Sequence, residues 1–382
     1  MLNLPEEFET FDELKKKGFI EIKKEKDKGK NVVGIFCSYT PVELIMAIDA
    51  HFVSLCGGDD ASIAAAEKFL PKTLCPLIKS SYGLAITDSC PYFYFSDAIL
   101  AETTCDGKKK MYELLGEIKP THVMHLPQSQ TAALAIEAWT EEMKQTATFL
   151  EQQFGRAITP ESLRHAIIER NRVRKALLQL YEVAALVPSP VSGYELSSVV
   201  ESTDFHFTDD DIVEGLNQKI EEYLARYVPQ NPDAKKRPRL MVTGCPIGGC
   251  REKILKAVED LGADVVAFDS CSGPRTQKVL VDETIDPYRA LAEKYLLINC
   301  SVMSPNHGRF EDMKEMLEHY QVDGVIELIL HGCHTFAVEA YYTKKFITET
   351  MELPYICIDA DFSTSDAGQI RTRLEAFLEM LQ

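Results

Sequence analysis

The chain has 382 residues, 45% hydrophobic and 26% charged, a globular composition long enough for two or three domains with cores of their own. Its formal net charge of -18 argues against nucleic acid or an anionic membrane surface as partner, because both need a basic face. No apolar run approaches the ~20 residues of a spanning helix, and Met1–Lys30 is polar with no apolar signal stretch, so the expected location is cytoplasmic.

After the charged run Lys23–Lys30, the apolar run Asn31–Phe36 reads as a buried strand. A helix is expected from Pro41, with Leu44, Ile45 and Ile48 on one side. Phe52–Leu55 and Ala98–Glu102 read as strands, Lys108–Ile118 as a helix and Thr121–Leu126 as a fourth strand. From about Ala132 to Tyr227 the pattern changes to long amphipathic helices, including Ser162–Val187 and Asp209–Tyr227. Pro229–Pro238 is a polar, proline-bearing linker. The first pattern then returns. Strands are expected at Arg239–Gly244, Ala263–Asp269, Gly324–Leu330 and Tyr355–Asp359. Helices are expected at Arg251–Leu261, Pro287–Tyr295, Phe310–Tyr320, Thr335–Thr348 and, after the last strand, to Leu381.

Strands alternating with helices imply parallel sheets with right-handed crossovers. The expected fold is α/β: two Rossmann-like lobes joined by a helical segment. Residues 1–131 form the first lobe with a helical N-terminal arm, 132–236 the connecting segment, and 237–382 the second lobe.

Eleven cysteines in a reducing compartment point to metal binding or catalysis rather than structural disulfides. Eight of them repeat an order. Cys37, Cys56 and Cys105 follow the first three strands of lobe one, with Cys75 in a connection. Cys245, Cys271 and Cys333 follow the first three strands of lobe two, with Cys300 in a connection. Ligands of open parallel sheets sit beyond the carboxyl ends of the strands, so two lobes facing across a cleft direct these sulfurs at one volume. Tight loops and helix starts follow several of them, as in Cys37-Ser-Tyr-Thr-Pro and Cys245-Pro-Ile-Gly-Gly, and N–H groups there stabilise thiolate charge.

The plain alternative is that these cysteines are buried as small hydrophobes. Structural zinc favours close C-x-x-C pairs, whereas the nearest pair here is Cys245 and Cys250, and ferredoxin spacing is absent. Scattered thiolates converging from several strands suit a buried iron–sulfur cluster. Cys333 lies beside His331 and His334, which read as a Cys–His pair, as donors to cluster sulfur, or as plain loop residues.

Cys37-Ser-Tyr-Thr-Pro-Val-Glu-Leu, Leu74-Cys75-Pro-Leu-Ile-Lys-Ser-Ser-Tyr, Cys105-Asp-Gly-Lys-Lys-Lys-Met-Tyr and Gly332-Cys333-His334 resemble the 2-hydroxyacyl-CoA dehydratase and benzoyl-CoA reductase superfamily over nearly the whole chain. In that superfamily three cysteines hold one 4Fe–4S cluster, and they correspond to Cys75, Cys105 and Cys333. Thr243-Gly244-Cys245-Pro246-Ile247-Gly248-Gly249, Asn299-Cys300-Ser301-Val302-Met303-Ser304-Pro305-Asn306, Cys90-Pro91-Tyr92-Phe93-Tyr94-Phe95 and Ser363-Thr364-Ser365-Asp366 look like its double-cubane cluster branch. That resemblance implies an 8Fe–9S cluster on six cysteines, a homodimer, electrons from an ATP-hydrolysing 4Fe–4S reductase, anaerobic chemistry and a small-molecule substrate. Matched pairs then give Cys75 and Cys105 with Cys300 and Cys333. The third pair is Cys37 with Cys245 or Cys56 with Cys271. The first is preferred, because Cys245 lies in a glycine-rich loop open to a large anion and a cysteine at the Cys271 position is not a ligand in single-cubane dehydratases. His331, His334 and Lys79 are the candidates for supplying protons. The competing readings are a dehydratase subunit with a single 4Fe–4S cluster and a non-catalytic electron-storage protein.

Overall fold

Short apolar runs, each followed by a turn and a helix, fold here as successive strand–crossover–strand units. A computed structural model of the chain describes residues 4–5, 8–10, 13–206, 208–229, 236–271 and 273–381; most of the expected linker, 230–235, lies outside them. The first half carries α1 (Glu13–Asp27), β1 (Val32–Ile35), α2 (Val42–Ala47), β2 (His51–Ser54), α3 (Ile63–Ala66), α4 (Pro76–Ile86), α5 (Pro91–Phe95), β3 (Ala98–Glu102), α6 (Asp106–Gly116) and β4 (Thr121–Met124). These strands form a four-stranded sheet in the order β2-β1-β3-β4, every pair parallel. Val33 lies opposite both Phe52 and Ala98, and Leu100 opposite His122. Val32, Val33 and the whole run Ala98–Ala101 are buried, as strands covered on both faces require.

Four helices follow: α7 (Ala135–Phe154), α8 (Pro160–Ala185), α9 (Gly193–Ser202) and α10 (Asp209–Arg226). Their starts are written in the sequence. Ser192 and Glu195 close a capping box on α9, and the Thr208 side chain accepts from the Asp211 N–H at the head of α10.

The second half repeats the first. It runs β5 (Arg239–Gly244), α11 (Ala257–Asp260), β6 (Asp264–Asp269), α12 (Pro287–Leu296), α13 (His307–His319), β7 (Gly324–Leu330), α14 (His334–Lys345), β8 (Tyr355–Ala360) and α15 (Ala367–Glu379). The sheet order is β6-β5-β7-β8, again parallel throughout. The expected architecture of two parallel sheets with helical connections is therefore found. One local difference is that Arg251–Leu261 is not a single regular helix: a π-helical turn, Glu252–Lys256, precedes α11. In that turn Lys253 is buried and its ammonium donates to Ser363 O and Asp366 Oδ1 at 2.7 and 2.6 Å.

The chain divides into two compact units, Met1–Arg170 with Val281–Ile298, and Asn171–Leu280 with Asn299–Gln382. Within the first, α12 packs on α7, the Tyr295 hydroxyl donates to Glu43 Oε2 at 2.8 Å and the Tyr39 hydroxyl to Ile298 O at 2.5 Å. Among the described residues no helix is long and apolar enough to cross a membrane.

Gly244 ends β5 at φ +103°, where side chains are disfavoured. A Cβ there would meet Leu328 O at 2.2 Å. The turn lets the next residue, Cys245, donate its N–H to that same carbonyl at 2.8 Å. Gly244→Ala is expected to cost about 2–5 kcal/mol from backbone strain and overpacking together; urea unfolding of the variant against the parent measures it.

Candidate metal centre

In the first unit the thiols gather at the carboxyl end of the sheet. Cys37 lies two residues beyond β1 and Cys56 two beyond β2, while Cys75 and Cys105 are the N-cap residues of α4 and α6. The two caps are brought close by a glycine. A Cβ on Gly107, near the start of α6, would lie 2.7 Å from Ile78 Cδ1 of α4. A buried cation joins the group: Lys108 Nζ donates to Phe36 O at 2.8 Å and lies 3.7 Å from Cys56 Sγ, whose thiol also donates to Phe36 O at 3.0 Å. Burial alone would push Lys108 down, but its interactions with the neighbouring Cys56, Tyr112, Cys37 and Cys105 groups, Cys56 foremost, hold it well above the ordinary lysine range.

The second unit gathers its thiols in two ways. Leu330, the last residue of β7, donates its N–H to Cys245 Sγ at 3.3 Å and accepts the Cys333 N–H at 2.9 Å. Cys333 is in turn the N-cap of α14. Cys271 and Cys300 share a guanidinium. Arg275 Nη2 lies 3.9 Å from Cys271 Sγ; burial pushes the Cys300 thiol up, and Arg275 acts against that rise. Arg275 also pairs with Asp269 at 3.1 Å, and Arg309 holds the other Asp269 oxygen at 2.9 Å. Burial would raise Asp269, yet Arg309 and Arg275 keep it below the ordinary carboxylate range.

The remaining cysteines have local partners. Cys90 caps α5, its sulfur accepting the Phe93 N–H at 3.4 Å. Cys250 donates to Asp361 O at 3.2 Å, and burial pushes its thiol up to about 12. Burial also raises Cys357. A thiol held protonated is a poor ligand, since the thiolate is what binds metal. Of the six cysteines expected as ligands, Cys37, Cys75 and Cys105 lie in the first unit and Cys245, Cys300 and Cys333 in the second.

His331 is exposed, its Nε2 3.4 Å from Asp359 Oδ1 and its Nδ1 3.9 Å from Asp361 Oδ2. His334 is the first residue of α14. Lys79 is buried on α4 and donates to Glu67 Oε1 and Lys72 O, each at 2.8 Å.

Among the described residues no group of three His, Cys, Asp or Glu side chains is arranged to hold a single metal ion. A cubane makes a different demand, because its cysteines bind separate irons and need not share one point. The donors present fit such a group: sulfur ligands at sheet ends and helix caps, an N–H bond onto sulfur, and buried cations beside the thiols.

Lys108, Arg275, Arg309 and Leu330 do not stand out as site residues in the sequence. Lys108 left a signal there, since it shares helical spacing with the buried Met111, Tyr112 and Leu115 of α6, an odd place for a lysine. Arg275, Arg309 and the Leu330 backbone left none, because only the folded sheet brings them to the rim.

Residues 37–381 match the family model for HGD-D: 2-hydroxyglutaryl-CoA dehydratase, D-component. The chain is 45% identical over 382 residues to YjiM of Escherichia coli (strain K12), covering 99% of each chain. It is 24% identical over 357 residues to the (R)-phenyllactyl-CoA dehydratase beta subunit of Clostridium sporogenes, 92% of each chain. Over 362 residues it is 23% identical to the beta subunit of lactoyl-CoA dehydratase of Anaerotignum propionicum, covering 93% of each chain. All eleven cysteines lie inside the span matched by the family model, and the chain belongs to the 2-hydroxyglutaryl-CoA dehydratase D-component family.

Proposed function

We propose that this chain is an iron–sulfur enzyme in which Cys37, Cys75, Cys105, Cys245, Cys300 and Cys333 hold an 8Fe–9S double-cubane cluster. The observation that carries the reading is the division of these cysteines, three on each of two units of the same sheet order, which supplies twice the ligands of a single family-type cubane. When bound, the cluster supplies storage and transfer of single electrons at low potential.

The chain's own residues do the rest. Cys75, Cys105 and Cys333 place their sulfurs at the positive ends of α4, α6 and α14, where thiolate charge is stabilised. The Leu330 N–H does the same for Cys245. His331, held by Asp359 and Asp361, His334 and Lys79 are the groups to supply protons to a small substrate. Electrons come from a separate ATP-hydrolysing 4Fe–4S reductase, and the working form is a homodimer.

The relatives named as acyl-CoA dehydratase subunits support a second reading, with one 4Fe–4S cluster on Cys75, Cys105 and Cys333. Iron and sulfide analysis of anaerobically purified protein separates the two. About eight irons per chain are expected for the double cubane and about four for the single one. Cys245→Ala and Cys300→Ala are expected to lower the iron content markedly, and Cys250→Ala to leave it unchanged; iron retained in full by the first two would sink the larger cluster.

A test of the electron source follows from the same reading. With the ATP-hydrolysing reductase and ATP, the protein is expected to reduce a small probe such as acetylene, at a rate that vanishes when ATP is omitted. Cluster reduction without any turnover would instead make the chain an electron-storage protein.

A further inference from the structure

One strongly charged group near the thiols has no task in the reading above. Lys108 is buried, 8% exposed, in the apolar face of α6. Its ammonium donates to the Phe36 carbonyl at 2.8 Å and lies 3.7 Å from Cys56 Sγ. No carboxylate forms an ion pair with it among the described residues. Glu102 at the end of β3 feels its charge, but its carboxylate bonds to the Thr40 hydroxyl instead, and burial pushes that carboxyl up to about 8. A lysine buried in this way suffers a desolvation penalty unless negative charge compensates it. The sulfurs around it are Cys56 at 3.7 Å, Cys37, which follows the Phe36 whose carbonyl the ammonium holds, and Cys105, which caps the helix that carries the lysine.

The second unit has a counterpart in the same place. Arg275 lies 3.9 Å from Cys271 Sγ, and Cys271 follows β6 as Cys56 follows β2. There the cation is shared with a carboxylate, because Arg275 also pairs with Asp269 at 3.1 Å. Arg309 pairs with the same carboxylate at 2.9 Å, so the cations of the second unit have a buried anionic partner and Lys108 has none among the described residues.

We propose that Lys108 is the positioning residue that sets the potential of the cluster, its ammonium compensating the negative charge gathered by Cys37 and Cys105 at the rim of the first unit. The inference rests on the iron–sulfur reading and deepens it. Each electron added to the cluster adds negative charge, and a fixed cation a short distance away in a low-dielectric setting stabilises the reduced form more than the oxidised one. Removing the cation makes the cluster harder to reduce. Cys56 holds the ammonium in place and binds no iron.

The test compares the parent protein with Lys108→Met and Lys108→Arg, each purified anaerobically as the full chain. Iron content is measured first, then the midpoint potential by a dye-mediated titration followed by the electron paramagnetic resonance of the reduced cluster. Lys108→Met is expected to keep its iron and to show a more negative midpoint, with the reduced-to-oxidised ratio at a fixed potential falling about tenfold or more. Lys108→Arg is expected to stay within about twofold of the parent, because it restores charge without restoring shape. A Lys108→Met protein that keeps its iron and its midpoint overturns the proposal. So does loss of iron in Lys108→Met that Lys108→Arg repairs, which makes Lys108 an assembly residue instead. Absence of iron from the parent protein fails the underlying reading and is recognised before any variant is titrated.

Discussion

In a parallel sheet every strand delivers its carboxyl end to the same edge, and every return to the opposite edge is made by a covering helix. Both sheets of this chain obey that rule without exception. A residue type placed just after successive strands is therefore collected on one rim, however far apart its members are in sequence. Cys37, Cys56 and Cys105 come from loops after β1, β2 and β3, and Cys245, Cys271 and Cys333 from loops after β5, β6 and β7, in sheets of the same order, while Cys75 and Cys300 sit in the longer connections. Collecting thiols in this way also collects negative charge. Each unit accordingly carries a buried cation at its rim, Lys108 in one and Arg275 in the other.

Much of this was legible in the residues. Ala98–Glu102, Arg239–Gly244 and Gly324–Leu330 are strands over the very bounds that their apolar runs suggested, because strands buried on both faces need no polar alternation to be recognised. The repeated cysteine order was equally plain. Other features were not. Eight of the eleven residues of α4 are buried, so no polar face marks its helical period. The π-helical turn before α11 leaves no signature in Arg251–Leu261. That α12 packs on α7, far back in the chain, is decided by tertiary contact between helices whose exposed faces look alike in sequence.

The site was legible as a set of cysteines but not as an environment. Sequence order ranked the thiols by position, whereas the structure ranks them by what each sulfur already does. Cys250 gives its proton to Asp361 O and Cys90 is occupied with the Phe93 N–H. Cys245 receives an N–H from Leu330, which favours the thiolate. Hydrogen-bond direction thus sets Cys56 and Cys250, which donate, apart from Cys90 and Cys245, which accept, a distinction that spacing cannot express. The cations were hidden for a related reason. A lysine in a charged run such as Lys108–Lys110 looks solvated until the helix face that carries it is known to be buried.

The helix caps have one more consequence, for what a substitution there would disturb. The carbonyls of Cys75, Cys105 and Cys333 accept the first helical hydrogen bonds, from Lys79, Lys109 and Ala337 at 3.1, 3.0 and 3.0 Å. These bonds are made by the main chain, so they do not depend on which side chain the cap carries. Serine is itself a favoured N-cap residue. Replacing cysteine by serine at these three positions therefore takes away a sulfur and leaves the helix starts intact, so the chemistry of the rim and the stability of the scaffold can be separated there.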